Sequence, residues 1–379
     1  MMHSLWLASA FVLQTSPPVV NDENGLFEGL LDGWFGQTFG PLVSAVLGLV
    51  VVLTLCSLLP MFWTWAERRI AGRIQQRPGP NRVGPFGLIQ ALADGIKLMF
   101  KEDIIPAESS RFLFMLAPGI VLAGTFVAFA MLPLSPHLIV VNSHLGIYMI
   151  TAFLALEAIG VIMAGWASNN KWSILGAMRE ASQMISYEIP IGILFLMAGV
   201  TYGSLNLVDM VAEQEGGLFG VGQWMVFRFP PFGFIGLLVF YVAILAESKR
   251  APFDLPEAES ELVSGFHTEY SGIRFSFFFL AEYAVMFLLS GVAVCIFLGG
   301  WNLPFIPGSF WRDHGMFGEL LAIVSMLLKS FVLVFVMLWL RWTLPRIRVD
   351  QVMSFCYKYL TPVAFACLLA AVFWAETKV

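Results

Sequence analysis

Residues 41–65 read PLVSAVLGLVVVLTLCSLLPMFWTW, twenty-five residues without one charged side chain. Coiled as an α-helix at about 1.5 Å per residue, the run reaches roughly 37 Å and spans the ~30 Å hydrocarbon core of a bilayer. It is not isolated. Hydrophobic residues make up 58% of the 379 and charged residues only 12%, against about 25% charged in soluble domains, and the mean hydropathy is +0.79. Globular cores cannot hide this much apolar surface, so lipid is the solvent. The fold class that follows is an all-α integral membrane protein.

Apolar stretches of spanning length recur eight times, at 41–65, 111–133, 146–166, 174–203, 232–247, 275–299, 318–340 and 352–374, the fifth being short. No fixed-period repeat and no low-complexity linker interrupts them, so the expectation is one eight-helix membrane domain over 41–375. A segment at 1–40 precedes it on the outer side and receives no function. The opening MMHSLWLASAFVLQTSPP has the Ala8-Ser9-Ala10 of a signal-peptide site, but no Lys or Arg precedes its apolar run, which disfavours cleavage. The scarcity of Arg disfavours a mitochondrial presequence.

Of the 21 Lys and Arg, sixteen fall in the connections after stretches one, three, five and seven. Three fall in the remaining connections and termini, namely Arg228, Arg312 and Lys378. The positive-inside rule then puts the odd-numbered connections in the cytoplasm and both termini outside. The net charge of −5 is divided between two sides of a membrane and says nothing of nucleic acid. Cys56, Cys295, Cys356 and Cys367 form no CxxC pair, which argues against a disulfide framework or an iron–sulfur cluster on this chain. The five scattered histidines offer no i, i+4 pair for haem, and P-loop, GxGxxG, HExxH and GxSxG motifs are missing.

Three constellations carry chemistry. The first inside connection opens with Glu67-Arg68-Arg69, turns through Arg77-Pro78-Gly79-Pro80-Asn81-Arg82 and predicts a helix from Phe86 to Lys101. On that helix Leu88, Ile89, Leu92, Ile96, Met99 and Phe100 share one face, while Gln90, Asp94, Lys97 and Lys101 form a narrow strip opposite. Such a helix lies in the membrane interface. It is either a plain surface helix beside topology-setting arginines, or the lipid-side entrance for an amphiphilic substrate. In the second, Glu247, Asp254, Glu257, Glu259, Glu261 and Glu269 crowd one inside connection with Lys249 and Arg250. That is either a solubilising loop or a cluster whose carboxyl groups exchange protons near neutral pH. The third is Glu157, Glu188, Glu282 and Lys329, set within apolar stretches, where each costs about 2.5–3.5 kcal/mol if it faces lipid. Lys329 neutralising one glutamate is the structural alternative; a proton relay is the functional one. Pro190 leaves the Ser186 carbonyl without a helical donor, which favours a kink and room for water.

ERRIAGRIQQRPGPNRVGPFGLIQALADGIKL (67–98) and LAESKRAPFDLPEAESELVSGFHTEYSG (245–272) closely resemble signatures of the H subunit of respiratory complex I, called subunit 1 in mitochondria. REASQMISYEIP, FFFLAEYA and the run from Arg341-Trp342-Thr343 to Asp350-Gln351 resemble it too, and the likeness covers about 41–375. The first forty residues look longer than that family's usual start. The resemblance implies an eight-helix subunit forming the membrane part of a quinone chamber, with Glu67, Arg68, Arg77, Asp94, Lys97 and Glu102 lining or supporting the entrance. Arg250, Asp254, Glu257, Glu259 and Glu261 would form the loop under the chamber. Glu188, Glu247 and Glu282, with Glu157 and Arg179 as additions, would begin a proton path. Quinone would be the substrate, and this chain would hold no cofactor; NADH, FMN and iron–sulfur clusters would belong to partner subunits. Those partners would be a hydrophilic arm and antiporter-like membrane subunits, in a bacterial plasma membrane or alternatively the mitochondrial inner membrane. A sister subunit of a membrane-bound hydrogenase would look similar and need not bind quinone. A proton-coupled transporter would show internal repeats, and none is present.

The expected orientation has a direct check. A cysteine placed near Pro136 should react with an impermeant thiol reagent added outside intact cells, and one near Asn81 should not. The reverse labelling pattern overturns the assignment.

Overall fold

A computed structural model of the chain describes residues 26–136, 138–216, 220–255, 259–306 and 315–377, and among the described residues there is no strand. The elements are α1 (Leu26–Ile74), α2 (Gln90–Phe100), α3 (Arg111–Phe129), α4 (Gly146–Ala167), α5 (Lys171–Tyr202), the short α6 (Leu207–Ala212) and α7 (Met225–Arg228), α8 (Phe232–Glu247), the one-turn α9 (Glu259–Leu262), α10 (Gly272–Phe297), α11 (Gly315–Thr343), α12 (Val349–Phe355) and α13 (Thr361–Glu376). A π-helical turn, Cys356–Leu360, joins α12 to α13, so Val349–Glu376 runs as one 28-residue span. Among the described residues seven helices are long and apolar enough to cross a membrane, and the sixteen residues of α8 make a shorter apolar helix. Each apolar stretch read from the sequence meets one of these eight. The Ala8-Ser9-Ala10 site, His137 and Glu257 lie outside the described residues.

The helix α10 is the axis of the bundle. Of its apolar window 89% is buried, against 22% to 50% for the other long helices, and α1, α2, α3, α6, α8 and α11 all pack on it. A second row, α3–α4–α5, continues to α8 and α13 along the flanks of α5. Asn170 starts α5 by accepting the N–H of Trp172 at 3.0 Å, and Gly203 ends it at φ 73°, the left-handed cap that glycine takes without strain.

Two expectations shift. The helix α1 carries on past residue 65 to Ile74, because Glu67 and Ala71 are buried inside the protein; a charge that meets partners does not end a helix. The interfacial helix starts at Gln90 instead of Phe86. Before it the chain makes a 3₁₀ turn, Pro85–Gly87, with Phe86 at φ 56° and Gly87 at φ 77°, where an added Cβ would lie 2.1 Å from the Pro80 carbonyl oxygen. A third correction concerns Pro190. The room expected for water beside the Ser186 carbonyl is taken by the Cys356 thiol, which donates to that oxygen at 3.0 Å.

Close approach also fixes α5 against the turn before α10. A Cβ on Gly176 would meet the Gly265 Cα at 2.7 Å and the Phe266 nitrogen at 2.9 Å. Gly176→Leu should therefore lower the thermal midpoint of the detergent-purified protein, since overpacking costs about 1–3 kcal/mol. Leucine at Gly95, where nothing lies within 4 Å of an added Cβ, should leave it unchanged.

Candidate functional site

Charged side chains from four separated elements meet where α1 packs against α10. Glu67 of α1 is 6% exposed. It accepts from Arg250 at 3.2 Å, from the Tyr283 hydroxyl of α10 at 2.6 Å and from Arg341 of α11. Arg250, 1% exposed, reaches the other way to Glu282 at 3.1 Å and lies over the Tyr283 ring at 4.2 Å. Two carboxylates thus face two guanidinium groups. Burial alone would loosen the Arg250 proton, but Glu282, Tyr283 and Glu67 hold it well above the usual arginine range. Removing one member of such a buried pair costs about 3–5 kcal/mol, because the other charge is left uncompensated.

One residue earlier the chain feeds a second cluster. The Lys249 ammonium donates to Glu157 of α4 at 2.8 Å and pairs with Glu180 of α5; all three are buried. Burial opposes charge on Lys249, yet Glu157 and Glu180 hold it well above the ordinary lysine range, so it stays an ammonium. Glu247, buried at the end of α8, stands within electrostatic reach of Glu188, Glu157, Lys249 and Glu180. His267 packs nearby, and burial followed by the Lys249 charge pushes its pKa down to about 3, leaving the ring neutral at physiological pH.

Sequence reasoning missed Tyr283 and Arg341 as partners of Glu67, and it missed Glu180, hidden by its neighbour Arg179. Ser173, Gly176, Ala177, Glu180, Ala181 and Met184 are all buried, and they recur at helical spacing along one small-residue face. Counting from the Asn170 cap would have put Glu180 on that inward stripe.

Closer to the surface, Arg68 pairs with Asp94 of α2. Gln90 donates to the same carboxylate at 3.2 Å, and Lys97 lies 3.8 Å away. Partial burial pushes the Asp94 carboxyl up, but the Arg68 and Gln90 hydrogen bonds outweigh it and hold the group below its ordinary range. Leu88, Leu92, Ile96 and Met99 are exposed, so α2 turns its polar strip to α1 and its apolar face outward. Arg346 donates to Asp254 at 3.1 Å, where burial still raises the carboxyl above its usual range. Arg179 binds Glu261 at 2.5 Å.

Other expected residues stand apart. Arg77 is exposed and donates to Gln75 at 2.7 Å. Glu102 is exposed, and its carbonyl accepts from Ser271. Glu188 is half-buried on α5. The side chain of Glu259 lies outside the described residues, as does Glu257. Among the described residues Lys329 pairs with no glutamate: its ammonium donates to the carbonyls of Leu298, Gly300 and Asn302 at 2.5–2.9 Å and lies 4.2 Å from the Trp224 ring. Among the described residues no three His, Cys, Asp or Glu side chains gather to hold a metal ion.

Residues 47–372 match the family model described as NADH dehydrogenase. A protein of Chlorobium luteolum, named as the H subunit of NADH-quinone oxidoreductase, is 42% identical over 341 residues, covering 89% of this chain and 90% of that protein. The H subunit of Chlorobaculum parvum is 39% identical over 95% of this chain and 99% of its own length. That of Anaeromyxobacter dehalogenans is 42% identical over 91% and 85%. The two long motifs at 67–98 and 245–272, the bundle around α10 and these matches agree, and the chain belongs to the H-subunit family, membrane components of NADH-quinone oxidoreductase.

Proposed function

We propose that this chain forms the membrane part of the quinone chamber of a proton-translocating NADH:quinone oxidoreductase and couples quinone reduction to proton movement through its buried glutamates. The observation that carries the reading is continuity of charge. Arg68–Asp94 at the interface stands one residue from Glu67, Glu67 is joined to Glu282 by Arg250, and Arg250 is the chain neighbour of Lys249 in the Glu157–Glu180 cluster. A quinone needs apolar walls for its isoprenoid tail and polar partners for its head group. The outward apolar face of α2 and the inward Asp94 strip supply both. Quinone is the substrate on this reading, while NADH, FMN and iron–sulfur clusters belong to a hydrophilic arm docked on the odd-numbered connections, and antiporter-like subunits continue the glutamate path. The eight crossings act as one unit in a bacterial plasma membrane, with both termini outside. Arg77, Lys97 and Glu102 serve at the rim of the chamber, and Asp254, Glu257, Glu259 and Glu261 in the loop beneath it.

Two sets of variants test this in the assembled complex. Asp94→Ala and Arg68→Ala should lower quinone turnover while leaving NADH-driven reduction of a water-soluble acceptor intact. One lost positioning contact is worth about 1–3 kcal/mol, roughly five- to a hundred-fold in rate. Fully assembled variants with wild-type quinone kinetics would reduce the 67–102 segment to a topological anchor. The Asp94 carboxyl sits below its ordinary value of 3.8, so the pair's contribution is complete above that value and is lost as the pH falls through the lower folded one. Acid sensitivity of turnover near neutral pH must therefore come from other groups.

Glu282→Gln should assemble and lose quinone-linked turnover and pumping together. Unchanged activity in inverted vesicles would take Glu282 out of the path.

A further inference from the structure

Two adjacent residues serve two different clusters. Arg250 faces Glu67 and Glu282, whereas Lys249 faces Glu157 and Glu180. Their Cα atoms are separated by one trans peptide, about 3.8 Å, so neither cation can shift far without the other. The turn that carries them hangs on the end of α8: Ser248, Lys249 and Arg250 donate their N–H groups to the carbonyls of Ile244, Ala246 and Leu245. Lys249 takes φ 53°, a left-handed conformation that a lysine rarely adopts and that the surroundings must enforce. Its ammonium is aimed into the core by that backbone, 5.4 Å from the Phe266 ring.

The stoichiometry of the two clusters differs. Around Arg250 two carboxylates meet two guanidinium groups. Around Lys249 the ammonium pairs with Glu157 from α4 and Glu180 from α5, and Glu247 from α8, Glu282 from α10 and the neutral His267 from the turn before α10 stand within its electrostatic reach; the half-buried Glu188 of α5 acts on Glu247. A counter-charge kept only for structure would be matched one to one. With several carboxyl groups sharing one ammonium, the number of protons the cluster holds depends on where that ammonium sits.

We propose that Lys249 is a positioning residue that ties the proton content of the Glu157–Glu180 cluster to the engagement of Arg250. When the 248–250 turn shifts so that Arg250 leaves Glu67 or Glu282, the ammonium withdraws from Glu157 and Glu180, and a carboxylate there binds a proton from its aqueous side. When the turn returns, the ammonium displaces that proton. No bond other than the O–H of the carboxyl group forms or breaks. The inference rests on the reading of the buried glutamates as a proton path, and it adds a residue and a direction of control to that path.

The test uses the whole complex in inverted membrane vesicles, with NADH, a soluble quinone analogue and a pH-sensitive dye. Lys249→Gln should assemble, reduce a water-soluble acceptor normally, pump fewer protons per NADH and show a displaced pH profile of quinone turnover, with turnover down roughly tenfold. Lys249→Arg, which keeps the charge, should restore the wild-type profile. An assembled Lys249→Gln complex with wild-type pumping ratio and pH profile overturns the proposal. Should Lys249→Gln fail to assemble, the double variant Lys249→Gln/Glu180→Gln takes its place: an altered ratio and profile support the proposal, and wild-type values make Lys249 a mere counter-charge and overturn it. Glu282→Gln measured in parallel separates the two levels. If it keeps wild-type turnover and pumping, the glutamate path itself fails and the proposal with it; if it loses both while Lys249→Gln does not, only the role of Lys249 fails.

Discussion

The Arg250 guanidinium, 1% exposed and clasped between Glu67 and Glu282, is the constraint around which the described bundle is arranged. An ion this deep is tolerable only if its charge is answered inside the protein, and no single element answers it. Glu67 arrives from α1, Glu282 and Tyr283 from α10, and Arg341 from α11 supplies the second positive charge. Displacing any of these helices would strand a charge in a region where effective dielectric screening is weak. Apolar packing around α10 supplies area, but area is non-directional; the charge cluster sets which faces of α1, α10 and α11 must meet.

The same constraint explains why α1 does not stop where its apolar run stops. The nine residues after Trp65 carry a glutamate and three arginines, and by composition they belong to an aqueous loop. They stay helical because Glu67 is answered inside the protein and Arg68 is answered by Asp94. The helix therefore delivers two consecutive charges to opposite surroundings, Glu67 to the buried cluster and Arg68 to the interfacial α2. A lipid-facing helix and a buried ionic centre become neighbours through one peptide bond, as Lys249 and Arg250 do at the end of α8. In both places chain connectivity links two sites that serve different partners.

Much of this was legible in the sequence, and what was not has physical causes. Periodicity exposed the eight apolar stretches and the two faces of α2, because lipid imposes length and the interface imposes amphipathicity. The start of α2 was misplaced since glycine torsions at Gly84 and Gly87 leave no mark in hydropathy. Individual acids were visible as charges in apolar runs, as with Glu157 and Glu282, but their partners were not: 67 with 250 and 341, or 157 with 249, are pairs between distant segments. Glu180 escaped because a charged neighbour made it look like surface. Lys329 was visible, but its partners were not: a carboxylate was the structural alternative the sequence offered, and the ammonium binds instead the carbonyls just beyond α10.

That last difference separates the two ends of α10. At its Phe297 end, polar side chains bind backbone: Lys329 three carbonyls, Gln214 the carbonyl of Cys295 and the N–H of Gly299, Asn302 the carbonyl of Val211, and Tyr202 the carbonyl of Ile296. Backbone partners carry no titratable charge, and they move only if the helix end itself comes apart, so this end is held in one arrangement. At the other end the partners are carboxylates and cations on six elements, α1, α2, α4, α5, α10 and α11, and the loop after α8, and exchange of one ion pair for another needs no helix to unfold. The Phe297 end also holds the Arg228–Glu213 pair at 4.0 Å, but buried ion pairs are concentrated at the second end. That is the end where the Asp94 strip of α2, the Glu67–Arg250–Glu282 cluster and the Lys249 cluster adjoin. On the proposed reading of the buried glutamates as a proton path, motion of the 248–250 turn would be small and expressed as a rearrangement of ion pairs instead of a tilting of helices.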